Sequence, residues 1–355
     1  MKKLARVLVV LLLAAAAGAF VLYARVGQPY RAYDTEAQDV EIAPGSGTRA
    51  IGDALVAAGV VRDSLTYRIA VWQSGDARRL KAGEYRFDRP MTAREVVDKL
   101  AKGEVDLVRI TFREGLTIAD MAALFETQGL GTAASFSAAA GNAASIADLD
   151  PAATDLEGYL FPDTYAVSRR VDAAKLVAAM VDRFRVVLTP ELLEAARARG
   201  LTLRQFVTLA SIVEKETGAA SERATVAAVY SNRLRIGMGL QCDPTVIYAL
   251  QRAGTFDGNL RRDDLAFDSP YNTYKYAGLP PGPIAAPGKD ALEAAAHPAE
   301  VDYVYFVSRN DGTHAFARSL DEHNRNVQKF QVQYFRARRL AERRRRDAAA
   351  SQPGR

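Results

Sequence analysis

The pattern of apolar positions opens with one unbroken run, Val7 to Ala24, preceded by Leu4 and Ala5 and interrupted on that side only by Arg6. A run of about 18 or more apolar residues is long enough to cross a bilayer as a helix. Gly27 to Asp39 then reads as a polar connector. Val40-Glu-Ile predicts a short strand, Gly45-Ser-Gly a turn, and helices follow over about Arg49–Ala58 and Asp63–Gln73 before Gly83–Phe87 alternates as a second strand. Thr92-Ala-Arg-Glu95 and Thr117-Ile-Ala-Asp120 are capping boxes, each after a short extended run (Tyr85–Phe87 and Val108–Phe112), and they open helices to about Lys102 and Gln128. Gly131 to Ala153, rich in Ala, Ser, Gly and Asn, predicts a loosely packed insertion with at most short helices. Helical periodicity returns over about Ala173–Leu188, Pro190–Arg199 and Leu203–Thr217. Ser221 is placed to cap a helix running through Arg235, and Asp243-Pro244 to cap and begin another to about Arg252. Asp268 to Gly288 is too long a loop to be mere connection. Tyr303–Val307 and His314–Ala317 flank Asn310-Asp-Gly312 as a hairpin, and a last helix starts near Leu320. The whole predicts an α+β chain: an N-terminal membrane helix (1–25), a linker (26–39), a small βααβ module (40–103), a mainly helical domain with β-hairpins (104–335) and an Arg-rich tail (336–355).

Within that pattern, Ala210-Ser-Ile-Val-Glu-Lys-Glu-Thr217 stands out, because an otherwise buried helix closes on two carboxylates and an ammonium. Such groups are costly at the edge of a core. Solvated side chains at a fraying helix end are the ordinary explanation. At about 100° per residue the apolar stripe centres near Phe206 and Val213, and Glu214 and Glu216 fall on its opposite shoulders. They diverge, so together they are not the facing carboxyl pair of an ordinary glycosidase.

Composition and charge narrow the class. With 355 residues, 49% hydrophobic and 25% charged, the chain is globular and long enough for two or three domains. Lys2, Lys3 and Arg6 before the apolar run favour a cytoplasmic N-terminus with the bulk exported, and the run's continuation through Phe20–Tyr23 favours an anchor over a cleaved signal. The formal net charge of +5 sits at the ends: eight arginines after Phe335 face only Glu342 and Asp347, and the N-terminal segment adds more, which leaves the middle acidic. A nucleic-acid groove is therefore not indicated. The tail suits a solvated helix end or a weak contact with anionic lipid or wall polymer. A single cysteine, Cys242, excludes a disulfide framework, and His297, His314 and His323 show no zinc spacing. No cofactor or metal is expected.

Four irregular segments carry a resemblance: Glu157-Gly-Tyr-Leu-Phe-Pro-Asp-Thr-Tyr165; Ala210 to Thr217; Asn232 to Tyr248; and Tyr271-Asn-Thr-Tyr274 with Gly278–Ile284 and Ala294–Pro298. In these the chain resembles the endolytic murein transglycosylases, the YceG-like family, over essentially its whole length. The resemblance implies a single-pass protein of the bacterial cytoplasmic (inner) membrane with its bulk on the periplasmic side. It implies cleavage of the β-1,4 bond between N-acetylmuramic acid and N-acetylglucosamine in nascent peptidoglycan strands, leaving 1,6-anhydro ends and terminating elongation, with peptidoglycan synthases as membrane partners. By element order the βααβ module resembles the LysM module, a peptidoglycan-binding fold. The family's catalytic acid, the second glutamate of Glu-Lys-Glu-Thr, falls on Glu216.

One carboxyl suffices for that chemistry, since the sugar's own 6-hydroxyl can attack the anomeric carbon and no water need be positioned. Tyr159, Phe161, Tyr165, Tyr271 and Tyr274 are candidates to stack on sugar faces, and Gln241, Asp243, Asn272 and Thr273 to bond hydroxyl and acetamido groups, with Glu157 and Glu214 in support. Most such aromatics in proteins are core residues, and Asp243 reads first as a helix cap. Asn272 is the foremost ligand candidate. Two other classes fit less well: a non-catalytic glycan-binding scaffold for wall synthases, against which the intact Glu-Lys-Glu argues, and a pyridoxal-phosphate lyase, for which no phosphate-cradling glycine loop is present.

Overall fold

The apolar run forms one helix, α1 (Lys2–Val26), exposed over most of its length and, among the described side chains, buried only at Val26. The structure, a computed structural model, describes residues 2–350. Arg355 of the basic tail lies outside the described residues, and so do the side chains of Lys2, Lys3 and Arg6, on which the orientation expectation rests.

Residues up to Arg109, together with Ala166–Val171, make a first unit. Its order is the expected one: β1 (Gln38–Ile42), α2 (Thr48–Ala57), α3 (Ser64–Ser74), β2 (Gly83–Phe87) and α4 (Ala93–Lys102). β1 and β2 pair antiparallel with Val40 opposite Tyr85, so Val40, Ile42, Tyr85 and Phe87 share the inner face and pack on Leu55, Tyr67, Val96 and Leu100. Asp63 caps α3 through the Thr66 amide, and Thr92 and Glu95 complete the capping box of α4. Gly52 lets α2 lie directly on the Tyr67 ring, since a Cβ there would come within 2.5 Å of it. The connector is no free tether: Tyr30 bridges to Met91, and the buried Tyr33 donates its hydroxyl to the Phe87 carbonyl at 2.8 Å.

The second unit holds the remainder from Ile110. β3 (Leu107–Thr111) leads to α5 (Ile118–Thr127), opened by the predicted Thr117–Asp120 box, and α6 (Ala133–Ala140). β4 (Thr164–Ser168) pairs with β3. The helices α7 (Ala173–Val187), α8 (Pro190–Ala198), α9 (Leu203–Glu216), α10 (Arg223–Arg235), α11 (Asp243–Arg252) and α12 (Lys289–Ala296) precede the hairpin β5 (Tyr305–Ser308) and β6 (His314–Ala317), then α13 (Leu320–Val327) and α14 (Tyr334–Ala350). Between the last two the helix widens into a π segment over Gln328–Gln333.

α9 is the core helix, with every residue from Phe206 to Val213 buried, so over those two turns burial extends all round and beyond the apolar stripe. Three expectations need correcting. The Gly131–Ala153 stretch holds only short helices, as expected, and most of it is exposed, but it is seated on the core: Phe136 is wholly buried and its ring meets Phe112 and Phe125 at 5.9 and 5.4 Å. Ser221 does not cap α10; it lies in a short 3-10 turn, and Glu222 at the cap position makes no side-chain cap bond. Asp243 is the first helical residue of α11, whose cap position is Cys242.

Candidate active site

The close of α9 sends three consecutive side chains to three different places. Glu214 Oε2 accepts the amide of Gly288, the residue before α12, at 3.0 Å, with the Arg223 guanidinium 3.8 Å from its other oxygen. Lys215 Nζ donates to the Gly115 carbonyl at 3.0 Å, on the exposed side. Glu216 Oε1 accepts the hydroxyl of Tyr230, on α10, at 2.6 Å. The divergence expected from helical spacing is therefore present, and the Lys215 ammonium is committed elsewhere.

Around Glu216 the surroundings are unusual for a carboxylate. Tyr230 and Cys242 are wholly buried, and both bear on the ionisation of the Glu216 carboxyl. Burial pushes the Tyr230 hydroxyl and the Cys242 thiol well up, so both keep their protons, and Tyr230 gives its own to the bond with Glu216. Burial raises Glu216 above the ordinary carboxylate range; the Tyr230 bond and the Cys242 thiol oppose this, the Asp243 charge adds to it, and His314 opposes it. The partial negative charge at a helix C-terminus acts in the same direction as burial, and Glu216 is the last residue of α9. Behind Tyr230 the Phe306 ring stands edge-on at 5.9 Å, and His314 stands edge-on to Phe306 at 5.3 Å while its Nδ1 lies 2.7 Å from Glu222 Oε2. A carboxyl that favours its proton, with the Tyr230 hydroxyl on one oxygen, can give a proton to an ether oxygen and take one back.

Of the other candidates, the structure gathers only some here. Tyr274 is exposed and donates its hydroxyl to Asp243 Oδ1 at 2.6 Å, so Asp243 is a partner of Tyr274 and not the helix cap. Gln241 is exposed, with a left-handed backbone (φ 47°) uncommon outside glycine, and its amide donates to the Thr273 carbonyl at 3.2 Å. Thr273 is buried, its Oγ1 accepting the Cys242 amide at 2.9 Å and pairing with Thr245, so it fixes the start of α11 and presents nothing to a ligand. Asn272, the foremost ligand candidate, is corrected most clearly. It is wholly buried, gives Nδ2 to the Leu265 and Phe267 carbonyls and takes the Tyr274 amide on Oδ1, so its side chain staples the loop to itself.

The Glu157–Tyr165 motif lies apart from Glu216. Tyr159 is a core residue, its hydroxyl on Asp150 at 2.6 Å and its ring edge-on to Phe184, and Phe161 is buried as well. Tyr165 spends its hydroxyl on the Phe161 carbonyl at 2.7 Å. Gly158, at φ 82°, sits where a Cβ would come within 2.4 Å of Pro283, which explains a glycine at that place. Glu157 is buried, accepts the Ile118 amide at 3.1 Å and the Tyr248 hydroxyl at 3.2 Å, and lines a separate cavity. Tyr271 packs on Tyr248 at 5.0 Å and belongs with that group. The cavity of about 830 Å³ bounded by Arg199, Leu209 and Ser231 does not include Glu216 either. Among the described residues, no group of three or more His, Cys, Asp and Glu side chains is placed to hold a metal ion.

Sequence reasoning missed Tyr230 and the Glu222–His314 pair, because nothing local to Glu216 signals partners carried by α10 and a hairpin. Cys242 was read only as a lone cysteine that excludes a disulfide framework, and nothing in the sequence placed it beside Glu216.

A family model described as the YceG-like family matches residues 40–329. Among curated proteins, an endolytic murein transglycosylase of Bacillus subtilis (strain 168) is 30% identical over 329 residues, covering 88% of this chain and 90% of the relative. An endolytic murein transglycosylase of Streptococcus pneumoniae (serotype 2, strain D39) is 31% identical over 81% of this chain, which spans 57% of that longer protein. Among solved structures, a putative yceG-like protein of Listeria monocytogenes superposes with a TM-score of 0.56 at 31% identity, over 82% of this chain and 98% of the other.

Proposed function

The chain belongs to the YceG-like family, and from that premise we propose Glu216 as the single acid–base group of its catalysis. Like the endolytic murein transglycosylases it is similar to, it is a lytic transglycosylase that cleaves peptidoglycan. The observation that carries the assignment is the Glu216 carboxyl: raised by burial, at a helix C-terminus, with Tyr230 2.6 Å from one oxygen.

In the proposed step, protonated Glu216 gives its proton to the oxygen linking N-acetylmuramic acid to N-acetylglucosamine. The C1–O bond breaks with its electrons passing to that oxygen. The 6-hydroxyl of the muramic acid unit then closes on C1, and the ionised Glu216 takes the hydroxyl's proton, which restores the acid and leaves a 1,6-anhydro end. Tyr230 holds the carboxylate formed between the two proton transfers. Tyr274, Asp243 and Gln241 border the site and are the side chains available to the glycan; Glu214 fixes the start of α12.

The apolar, exposed α1 supports a single-pass anchor in the cytoplasmic membrane with the bulk on the periplasmic side. With that placement the enzyme would reach nascent strands, end their elongation, and work beside the synthases that make them. The βααβ unit would serve, as a LysM-like module, to lengthen residence on glycan.

Mass spectrometry of glycan treated with full-length protein tests the assignment. The parent is expected to produce anhydro ends, and Glu216→Gln to lose about 10²–10⁴ in rate while keeping its fold. Near-native turnover by Glu216→Gln would overturn it. Reducing ends as the main product would instead give Asp243, the nearby second carboxylate, the work of activating water.

A further inference from the structure

Glu157 lies outside the Glu216 site, yet it is the kind of group a fold does not bury without use. Its carboxyl sits at the wall of a cavity of about 560 Å³ between the start of α5 and the last turns of α11. Burial pushes it up to about 8 despite the Ile118 amide, so near neutral pH it holds a proton and can donate as well as accept. Tyr248 and Arg252 share the wall: Arg252 reaches the Tyr248 hydroxyl at 3.3 Å and lies 3.7 Å from Asp155, and its guanidinium is over the Tyr271 ring at 5.6 Å. Gln251 and Phe256 complete the lining that matters here.

We propose that this cavity is a second saccharide-binding site, which holds a sugar of the strand away from the bond being cut. The proposal rests on the reading of peptidoglycan as substrate. Flat polar groups (a carboxyl, a guanidinium and an amide) match the paired donors and acceptors of neighbouring sugar hydroxyls, while Phe256 and Tyr248 supply apolar wall for a ring face. With Glu157 protonated, Asp120 and Asp155 against Arg252 still give a lining that disfavours phosphate or carboxylate ligands, so a neutral sugar fits better than an anionic one. The volume is in the range of small-ligand clefts. From Asp243, beside Glu216, to Gln251 is eight residues of α11, roughly 12 Å along its axis at about 1.5 Å per residue, so a strand engaging both ends would be held by more than one of its sugars. The site also gives a use to the Glu157 motif and to Tyr271, which the cleavage step leaves idle.

Hydrogen exchange on full-length Glu216→Gln in detergent, with triacetylchitotriose as probe, tests this whether or not Glu216 is the catalytic acid. Slower exchange is expected in the segments Thr117–Met121 and Tyr248–Phe256. Ser137→Trp, which crowds the cavity from α6 without touching the hydrogen bonds of Glu157, is expected to remove that protection and weaken affinity about tenfold. Protection confined to segments around Glu216, unchanged affinity in Ser137→Trp, or protection by a stem tripeptide and not by the saccharide would each overturn the proposal.

Discussion

Glu216 depends on neighbours that keep one oxygen occupied without removing its proton. The Tyr230 hydroxyl bonds the ionised form better than the neutral one, so it lowers a carboxyl that burial has raised. An acid catalyst works below its pKa and is lost as pH rises through it, so cleavage should persist above the ordinary carboxylate range and then fall. Tyr230→Phe removes one donor and lets the pKa climb further. The alkaline limb of the kcat/KM profile should move to higher pH, while the maximal rate drops because the ionised carboxyl is less well held; a bond to a charged group is worth about 1.5–3 kcal/mol, roughly tenfold to a hundredfold. A purely structural role would lower the rate at every pH and leave the limb in place. Periodicity left Glu216 level with Glu214, and only the resemblance carried by its irregular motif singled it out. Its partners could not be read from the sequence, since Tyr230 and Cys242 reach it only through the packing of α10 and the start of α11 against α9.

At the scale of elements, the capping boxes of α4 and α5 were legible because both halves of each lie three residues apart, and the box of α9, Thr202 with Gln205, has the same spacing but was passed over. The caps assigned to Ser221 and Asp243 failed for a tertiary reason: Asp243 is taken by Tyr274, 31 positions on, and at the start of α10 the Glu222 carboxylate is taken by His314. Loop residues misled in the same way, as Asn272 looked like a ligand and proved to be the loop's own staple. Glu214 shows a helix end used for assembly. Glu214→Gln keeps an acceptor for the Gly288 amide and should cleave within about tenfold of the parent, whereas Glu214→Ala leaves that amide unpaired and should cost about 1–3 kcal/mol of stability. Steady-state cleavage beside a melting curve separates the two. Glu157 is the opposite case, a carboxyl whose folded pKa, about 8, lies above its unfolded value of 4.5. Below pH 4.5 it is protonated in both states and costs nothing; as pH rises toward 8 the unfolded chain releases the proton and the folded one does not, so stability falls by about 1.4 kcal/mol per pH unit over that window. Glu157→Gln should therefore match the parent near pH 4 and melt higher at pH 8. A constant difference across that range would refute the assigned shift.

For the molecule as a whole, the first unit determines where the chain can be cut from its apolar helix. α1 has an exposed body, but its last residue, Val26, is 3% exposed and belongs to the core made by Val40, Leu55, Tyr85 and Leu100. Tyr30 and Tyr33 follow it into the same unit, through the Met91 bridge and the Phe87 carbonyl. The polar composition of Gly27–Asp39 hid this, because a few anchoring aromatics leave no periodicity to detect. Removal of residues through Arg25 should thus give a soluble, folded protein that still cleaves glycan, since it takes away membrane-type surface and leaves the core intact. Removal through Asp34 deletes Val26, Tyr30 and Tyr33 together. Burial of such side chains is worth about 1.5–3 kcal/mol each, so this shorter form should lose several kcal/mol from the first unit and show an earlier thermal transition. If the two truncations melt alike, the connector carries no part of the fold. An insoluble or molten Arg25 truncation, beside full-length protein that is folded in detergent, would mean that α1 is integral to the first unit and is no separable anchor.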